Sequence, residues 1–319
     1  MRIVIIGHTV GVKRCIEAVS GSEHEIVAVF THPRAQHQPD LDIFQRRAEH
    51  FGEYAFDVFE VEKEFDIPLH EYNDLSQEAD LEAIKSFSPE LVVTVGCRDI
   101  LKANFIESFP HVINLHPFNL PVFRGAGIDS WMILQDCSGS LQKVTCHYIN
   151  PRIDAGNIIH TIEYEIGVLD TPLDIFKNRI NLLGKLLLST LVKLSNGPYA
   201  GTPQDENVSR YYPRLNTHRD GRLDFQNWAG DELAVFVRAF SYPYDGAWIT
   251  IDQRKIHFLK AEFYPEAGNH PFSFGLVYRR SDDQLWIAVK GGSLLVSEIE
   301  EDGKRISPKA IKIGKFLNQ

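Results

Sequence analysis

A chain of 319 residues with 44% hydrophobic and 24% charged residues is long enough for two domains with separate cores, and its composition excludes a disordered or fibrous protein. The formal net charge of −10 argues against a nucleic acid as the main partner, which would be gripped through clustered Lys and Arg; from Asn207 onward 16 Lys plus Arg stand against 14 Asp plus Glu, a near-neutral tail. No apolar run approaches the ~18 residues of a membrane span, and the opening MRIVIIG carries no basic leader or cleavage site, so no membrane is expected and the expected location is the cytoplasm.

In chain order, RIVIIG is a β-branched apolar run ending in glycine, and VGVKRCIEAVSG spaces its apolar residues as an amphipathic helix does. The alternation continues: EIVAVFTH as strand, DVFEVEKEFDI with helical spacing, SQEADLEAIKSF as a helix with a serine cap, and ELVVTVG as a buried strand. Strands alternating with helices predict an α/β domain on a parallel sheet, with ligands outside the carboxyl ends of the strands, where IIGHTVG, VVTVGCRDI and VINLHP leave it. After an irregular loop, GIDSWMILQD reads as helix, and QKVTCHYI and GNIIHTIEYEI as two alternating runs joined hairpin-like by NPRIDA. DTPLDIFKNRINLLGKLLLSTLVKLS predicts one helix of about six turns, capped by Asp170 or Thr171 with Pro172 in its first turn. The Gly- and Pro-rich stretch near 196–208 reads as a linker, and the short runs beyond it, such as GAWITI and LWIAVK, as a small, mostly β domain of the barrel-like class. The domains are expected over 1–200 and 207–319.

The four cysteines, Cys15, Cys97, Cys137 and Cys146, form no CxxC pair, and His32, His37, His147 and His160 show no HxxxH or HExxH spacing, so no metal site or disulfide framework is expected. Asn114 and His116 lie two apart at the end of a strand and therefore point to one side of it. The amide of Asn114 can donate to an oxygen that becomes negative, and His116 can exchange a proton near neutral pH, which suits acyl transfer. Spacing alone leaves open that Asn114 ties down the loop and His116 is a satisfied turn histidine. Asp154 in RIDAGNII sits in a tight turn for which Gly156 is expected to supply the positive φ. A carboxylate brought near an imidazole orients it and helps collect a proton from an attacking amine.

These residues carry a resemblance. INLHP followed by LPVFRG, and then RIDAGNII, resembles the folate-dependent formyltransferases, whose core motif is Asn-x-His, a Leu-Pro turn and Arg-Gly, then Asp-x-Gly. The likeness continues through DGRLDFQNWAGDELAVFVRAFSYPYDGAWITI, similar to the start of the C-terminal domain shared by methionyl-tRNA formyltransferases and nucleotide-sugar N-formyltransferases. The resemblance implies a Rossmann-like N-terminal catalytic domain, an OB-like β domain after it, and formyl transfer from N10-formyltetrahydrofolate to a primary amine without a metal. It carries the catalytic trio onto Asn114, His116 and Asp154: Asn114 and protonated His116 stabilise the oxyanion, and Asp154 assists proton removal. It also places the pterin against Gly96, Cys97, Arg98 and the turn residues Asn150 and Ile153, with Phe118, Leu120 and Phe123 helping to enclose it.

For the acceptor, Phe118-Asn119-Leu120-Pro121 departs from the Ser-Leu-Leu-Pro usual in methionyl-tRNA enzymes. VGCRDIL and RYYPRLNTHRDGRLDF are more similar to the sugar N-formyltransferases, implying a nucleotide-linked amino deoxysugar, with a 4-amino-4,6-dideoxy sugar expected. GHTVGVK fails the GxGxxG pattern; His8, Thr9 and Lys13 either reach toward the acceptor or serve the turn and the helix surface. Arg98, Arg124 and the adjoining Gly125 either meet charged ligand groups or brace the backbone. The aromatic residues Tyr211, Tyr212, Trp228, Phe236, Phe240, Tyr242, Tyr244 and Trp248 either stack a base, fill a core or form a homodimer interface.

Overall fold

The computed structural model describes residues 1–266 and 268–317; the last two positions of the expected C-terminal domain lie outside the described residues. The chain divides into two compact units, one of residues 1–128, 140–165 and 176–213, the other of residues 129–139, 166–175 and 214–319.

In the first unit, β1 (Arg2–Gly7), β2 (Glu25–Thr31), β3 (Leu69–Glu71), β4 (Leu91–Val95) and β5 (Val112–His116) are parallel. The short strand β6 (Arg124–Gly125) lies apart, and β7 (Leu141–Tyr148) and β8 (Ile158–Glu165) extend the main sheet as an antiparallel hairpin. The order of the seven-stranded sheet is β3-β2-β1-β4-β5-β7-β8. Strand order reverses between β1 and β4, opening a crevice at the carboxyl ends of the central strands. Ile3 to Ile6 of β1 have no exposed surface, as expected of a β-branched strand covered on both faces.

One helix has no counterpart among the expected elements, and one expected helix is divided. A helix spans Arg34–Arg46 in a stretch that shows no apolar stripe and so gives no periodic signal. The long helix after Pro172 is two, Pro172–Ile180 and Leu183–Ser195. The break falls at Asn181, whose amide donates to Tyr54 Oη (2.7 Å) and accepts from Arg14 (3.2 Å). Just beyond it, a Cβ on Gly184 would lie 2.5 Å from the Arg14 carbonyl oxygen, so the second helix presses on helix Val10–Val19 at a point only glycine allows. Of the two proposed caps, Thr171 is in place: its hydroxyl accepts from the Asp174 N–H while Asp174 accepts from the Thr171 N–H.

The same unit contains β9 (Tyr211–Tyr212), which pairs in parallel with β6. The stretch read from sequence as a linker is thus built into this unit. It is also held at Ile158 and Thr202, which exchange backbone hydrogen bonds of 2.8 Å each.

The second unit holds the antiparallel strands β10 (Ala247–Ile251), β11 (Arg254–Pro265), β12 (Val277–Arg280), β13 (Leu285–Val289), β14 (Gly292–Glu301) and β15 (Lys304–Ile306). They follow the order β10-β11-β14-β13-β12, with β15 on β14. Register shifts at Phe258–Ala261 bend β11, as bulges do where a sheet must curl. A helix, Gly230–Ala239, packs on β11. Trp228, Phe236 and Phe240 follow one another at 4.6 and 4.7 Å between centroids with their rings tilted, so these members of the aromatic group pack against one another within the unit. Among the described residues no helix is long and apolar enough to cross a membrane, and no group of three or more His, Cys, Asp or Glu is placed to hold a metal ion.

Candidate active site

Sheet register assembles the site. Thr94 of β4 pairs with Asn114 of β5, and Asn114 pairs with His147 of β7, so three polar side chains stand in one row across adjacent strands. Asp154, in the turn between β7 and β8, reaches the same place.

The hydrogen bonds fix the orientation of each group. The Thr94 hydroxyl donates to Asn114 Oδ1 (2.9 Å), so the amide nitrogen of Asn114 faces His147 Nε2 at 3.2 Å and Asp154 Oδ1 at 3.5 Å. His147 Nδ1 lies 2.7 Å from the Tyr148 carbonyl. A carbonyl only accepts, so the proton sits on Nδ1 and Nε2 accepts from Asn114. By the same reasoning His116 Nε2–H donates to the Phe123 carbonyl (2.8 Å), leaving its Nδ1 lone pair toward Asp154 Oδ1 at 3.7 Å. His147 Nε2 is also 3.7 Å from that oxygen. The other carboxylate oxygen accepts from the Gly125 N–H at 2.8 Å.

His116 is only 4% exposed. Burial lowers its pKa below the ordinary imidazole value; Asp154 and the Phe123 carbonyl raise it, while His147 and Arg179 lower it further. Burial opposes the charge of Asp154 as well, but attraction to His116 in its charged form and the hydrogen bond from the Gly125 N–H outweigh it and hold the carboxyl well below the usual carboxylate range. The direction we assign to this coupled pair is a carboxylate that stays ionised beside an imidazole that is neutral at rest, because burial dominates the latter and direct hydrogen bonding secures the former.

The turn differs from expectation in one respect. The positive φ belongs to Asp154 itself (48°), a conformation that Asp tolerates better than most residues. Gly156 is required for closeness instead, since a Cβ there would lie 1.7 Å from the Tyr148 carbonyl oxygen.

The other candidates fall into distinct places. Gly96 has φ 71° and lies under His8 and Thr9. The Cys97 sulfur is 3.6 Å from Tyr72 Oη, and burial pushes its thiol up to about 11. Arg98 donates to Asp40 (2.5 Å) and to the Gln36 carbonyl (2.7 Å), and comes within 3.5 Å of His8. Phe118, Leu120 and Phe123 are buried; Phe118 sits edge-on to His116 at 5.5 Å and carries the Arg179 guanidinium 4.4 Å from its ring centroid, so it backs the imidazole from within the protein. Asn150 accepts from the Arg152 N–H (3.0 Å) to shape the turn, while Ile153 stays 43% exposed beside Asp154.

Thr9 caps helix Val10–Val19 by accepting from the Gly11 N–H at 3.2 Å. Lys13 is paired with Glu64 and lies over the rings of Phe56 and Phe65. Arg124 is a brace: its guanidinium donates to Gln204 and to both oxygens of Glu206. The structure therefore brings Asn114, His116, Asp154 and Gly125 together, and adds Thr94 and His147. Each of these two had a faint signal, a hydroxyl inside the aliphatic run ELVVTVG and an imidazole in the alternating run QKVTCHYI.

A hydrogen-bond donor, a buried imidazole with an open lone pair and an ionised carboxylate around one small volume suit acyl transfer to an amine. Comparison with known proteins agrees. Residues 1–191 match the formyl transferase model and residues 216–316 that of the formyl transferase C-terminal domain. A methionyl-tRNA formyltransferase of Solibacter usitatus (strain Ellin6076) is 27% identical over 312 residues, covering 97% of this chain and 94% of the relative. Among solved structures, the N-formyltransferase of Helicobacter canadensis in complex with folinic acid and dTDP-3-aminofucose superposes with a TM-score of 0.66 at 17% identity, over 94% of this chain and 98% of that one. A sugar N-formyltransferase from Shewanella sp FDAARGOS_354 gives a TM-score of 0.59 at 18% identity, over 83% and 99%. With both domains matched along most of its length, the chain belongs to the formyl transferase family and is a formyl-transferring enzyme.

Proposed function

We propose that the protein transfers a formyl group from N10-formyltetrahydrofolate to the primary amine of a nucleoside-diphosphate-linked amino deoxysugar, acting in the cytoplasm and yielding an N-formylated sugar for surface polysaccharide. The observation that carries the chemistry is the convergence of Asn114, His116 and His147 on Asp154 Oδ1 at 3.5 to 3.7 Å. The donor supplies the activated formyl carbon; Gly96, Cys97 and Arg98 on one side and Asn150 and Ile153 on the other flank its place. As the amine adds, Asn114 donates to the oxygen that gains charge. The proton leaving the amine passes by way of Asp154 to the open Nδ1 of His116. The imidazolium so formed is paired with Asp154 and faces the same oxygen. As the tetrahedral intermediate collapses, the bond between the formyl carbon and N10 of the folate breaks, the imidazolium returns its proton to N10, and tetrahydrofolate departs, leaving the formyl group on the amine.

Thr94 sets this geometry by turning the Asn114 amide. Thr94→Val is expected to lower kcat about 3- to 10-fold with little change in KM, and Thr94→Ser to keep the native rate. Steady-state kinetics check this, and a native kcat in folded Thr94→Val removes the role.

For the acceptor, support comes from the Helicobacter canadensis structure, which holds dTDP-3-aminofucose, and from the net charge of −10 with a near-neutral tail, a poor match for tRNA phosphates. A second reading, methionyl-tRNA formylation, is favoured by the Solibacter relative. Purified protein given N10-formyltetrahydrofolate with dTDP- and UDP-linked 4-amino and 3-amino deoxysugars is expected to release tetrahydrofolate with at least one of them. Formylation of charged initiator tRNA with none of the sugars accepted replaces this acceptor by the second reading, and release without any amine marks a hydrolase.

A further inference from the structure

We infer that Gln204 is a positioning residue for formyl transfer, its side-chain amide holding the turn that presents Asp154 to His116. The inference rests on the reading of Asp154 as the carboxylate of the reaction. Gln204 lies in the glycine- and proline-rich stretch beyond helix Leu183–Ser195, with nothing in its sequence context to mark it.

Its amide is fully used. Nε2 donates to the Asp154 carbonyl at 2.8 Å and to the Gly156 carbonyl at 2.7 Å, across sequence separations of 50 and 48 residues. Oε1 accepts from Arg124 Nη2 at 2.9 Å and Nε at 3.3 Å. Arg124 precedes Gly125, whose N–H holds Asp154 Oδ2 at 2.8 Å. The contacts close a ring from Gln204 through Arg124, Gly125 and Asp154 back to Gln204, in which Gln204 holds the backbone of Asp154 directly and braces the residue before Gly125, whose N–H holds the carboxylate.

Asp154 needs such a clamp. With φ at 48° it holds a left-handed conformation that, for a residue other than glycine, persists where the surroundings over-determine it. Without the amide the turn relaxes, and Oδ1 leaves its place 3.7 Å from His116 Nδ1. A displacement of about 1 Å is enough to cost ~100-fold in rate. The stretch from Gly201 to Tyr212 thereby acts as part of the catalytic framework.

Two uncharged variants test this in the full chain. Gln204→Met removes the amide at nearly unchanged reach; Gln204→Asn keeps it one methylene short. Both are expected to lower kcat about 10- to 100-fold with KM little changed. In histidine-labelled protein, NMR titration should show His116 titrating at lower pH than in the native chain. Burial, His147 and Arg179 lower the His116 pKa while Asp154 and, more weakly, the Phe123 carbonyl raise it, so withdrawal of the carboxylate removes the larger of the two raising influences. Variants that fold, as judged by thermal melting, with the His116 titration unmoved overturn the positioning role, whatever their rates. Because the titration needs no substrate, a protein that accepts no amine while its His116 titration moves in both variants overturns the assigned reaction and leaves the clamp standing.

Discussion

Replacing His116 by asparagine is expected to lower kcat for formyl transfer by about 100- to 1000-fold, with KM for both substrates changed far less. The imidazole is almost wholly buried, and its Nε2–H is spent on the Phe123 carbonyl, so the ring contributes to the reaction through Nδ1 alone. An asparagine amide can retain a polar contact in that space, but it cannot take up the proton of the attacking amine. The loss should therefore appear in the chemical step. Burial lowers the His116 pKa, so in the native enzyme the imidazole becomes protonated, and unable to act as the acceptor, only as pH falls below the ordinary histidine range. An acid limb in the kcat profile set by this group should vanish in His116→Asn. A native kcat in the folded variant refutes the role.

Asp154→Asn is expected to be as damaging, about 100- to 10,000-fold in kcat. Asparagine tolerates the left-handed backbone of this turn and keeps an oxygen for the Gly125 N–H, so the variant should fold. What disappears is the charge. His116 then loses the larger of the two influences that raise its pKa, and its titration should move to lower pH, as read by histidine NMR. The native carboxyl is held well below the usual range. Its stabilisation is therefore fully present above the unfolded carboxyl value of about 4 and is lost as pH falls through the lower folded value. Thermal melting should separate native protein from Asp154→Asn most at neutral pH and bring them together in strong acid. Equal melting at both pH values, or native turnover, refutes the ionised role of Asp154.

Local pattern made much of the catalytic unit legible. Buried β-branched runs such as RIVIIG and ELVVTVG, alternating with amphipathic stretches, announce a parallel sheet because only strands covered on both faces are apolar throughout. The strand ends then mark the ligand side. Helix Arg34–Arg46, only one of whose side chains is buried, has no such periodicity to read. The break at Asn181 depends on contacts with Tyr54 and Arg14, far away in sequence.

By itself, the sequence determined that Asn114 and His116 share a face, since a strand's period of two requires it, and its motifs placed Asp154 beside them by resemblance. Only the tertiary structure decided what those groups are. Strand register set Thr94 and His147 on either side of Asn114, carbonyl partners assigned the histidine protons, and Arg124 proved to be a brace on Gln204 and Glu206. The physical reason is that spacing along a chain specifies direction within one element, whereas protonation, charge and the roles of residues such as Gln204 arise from contacts made across some 50 residues, after the sheet has paired.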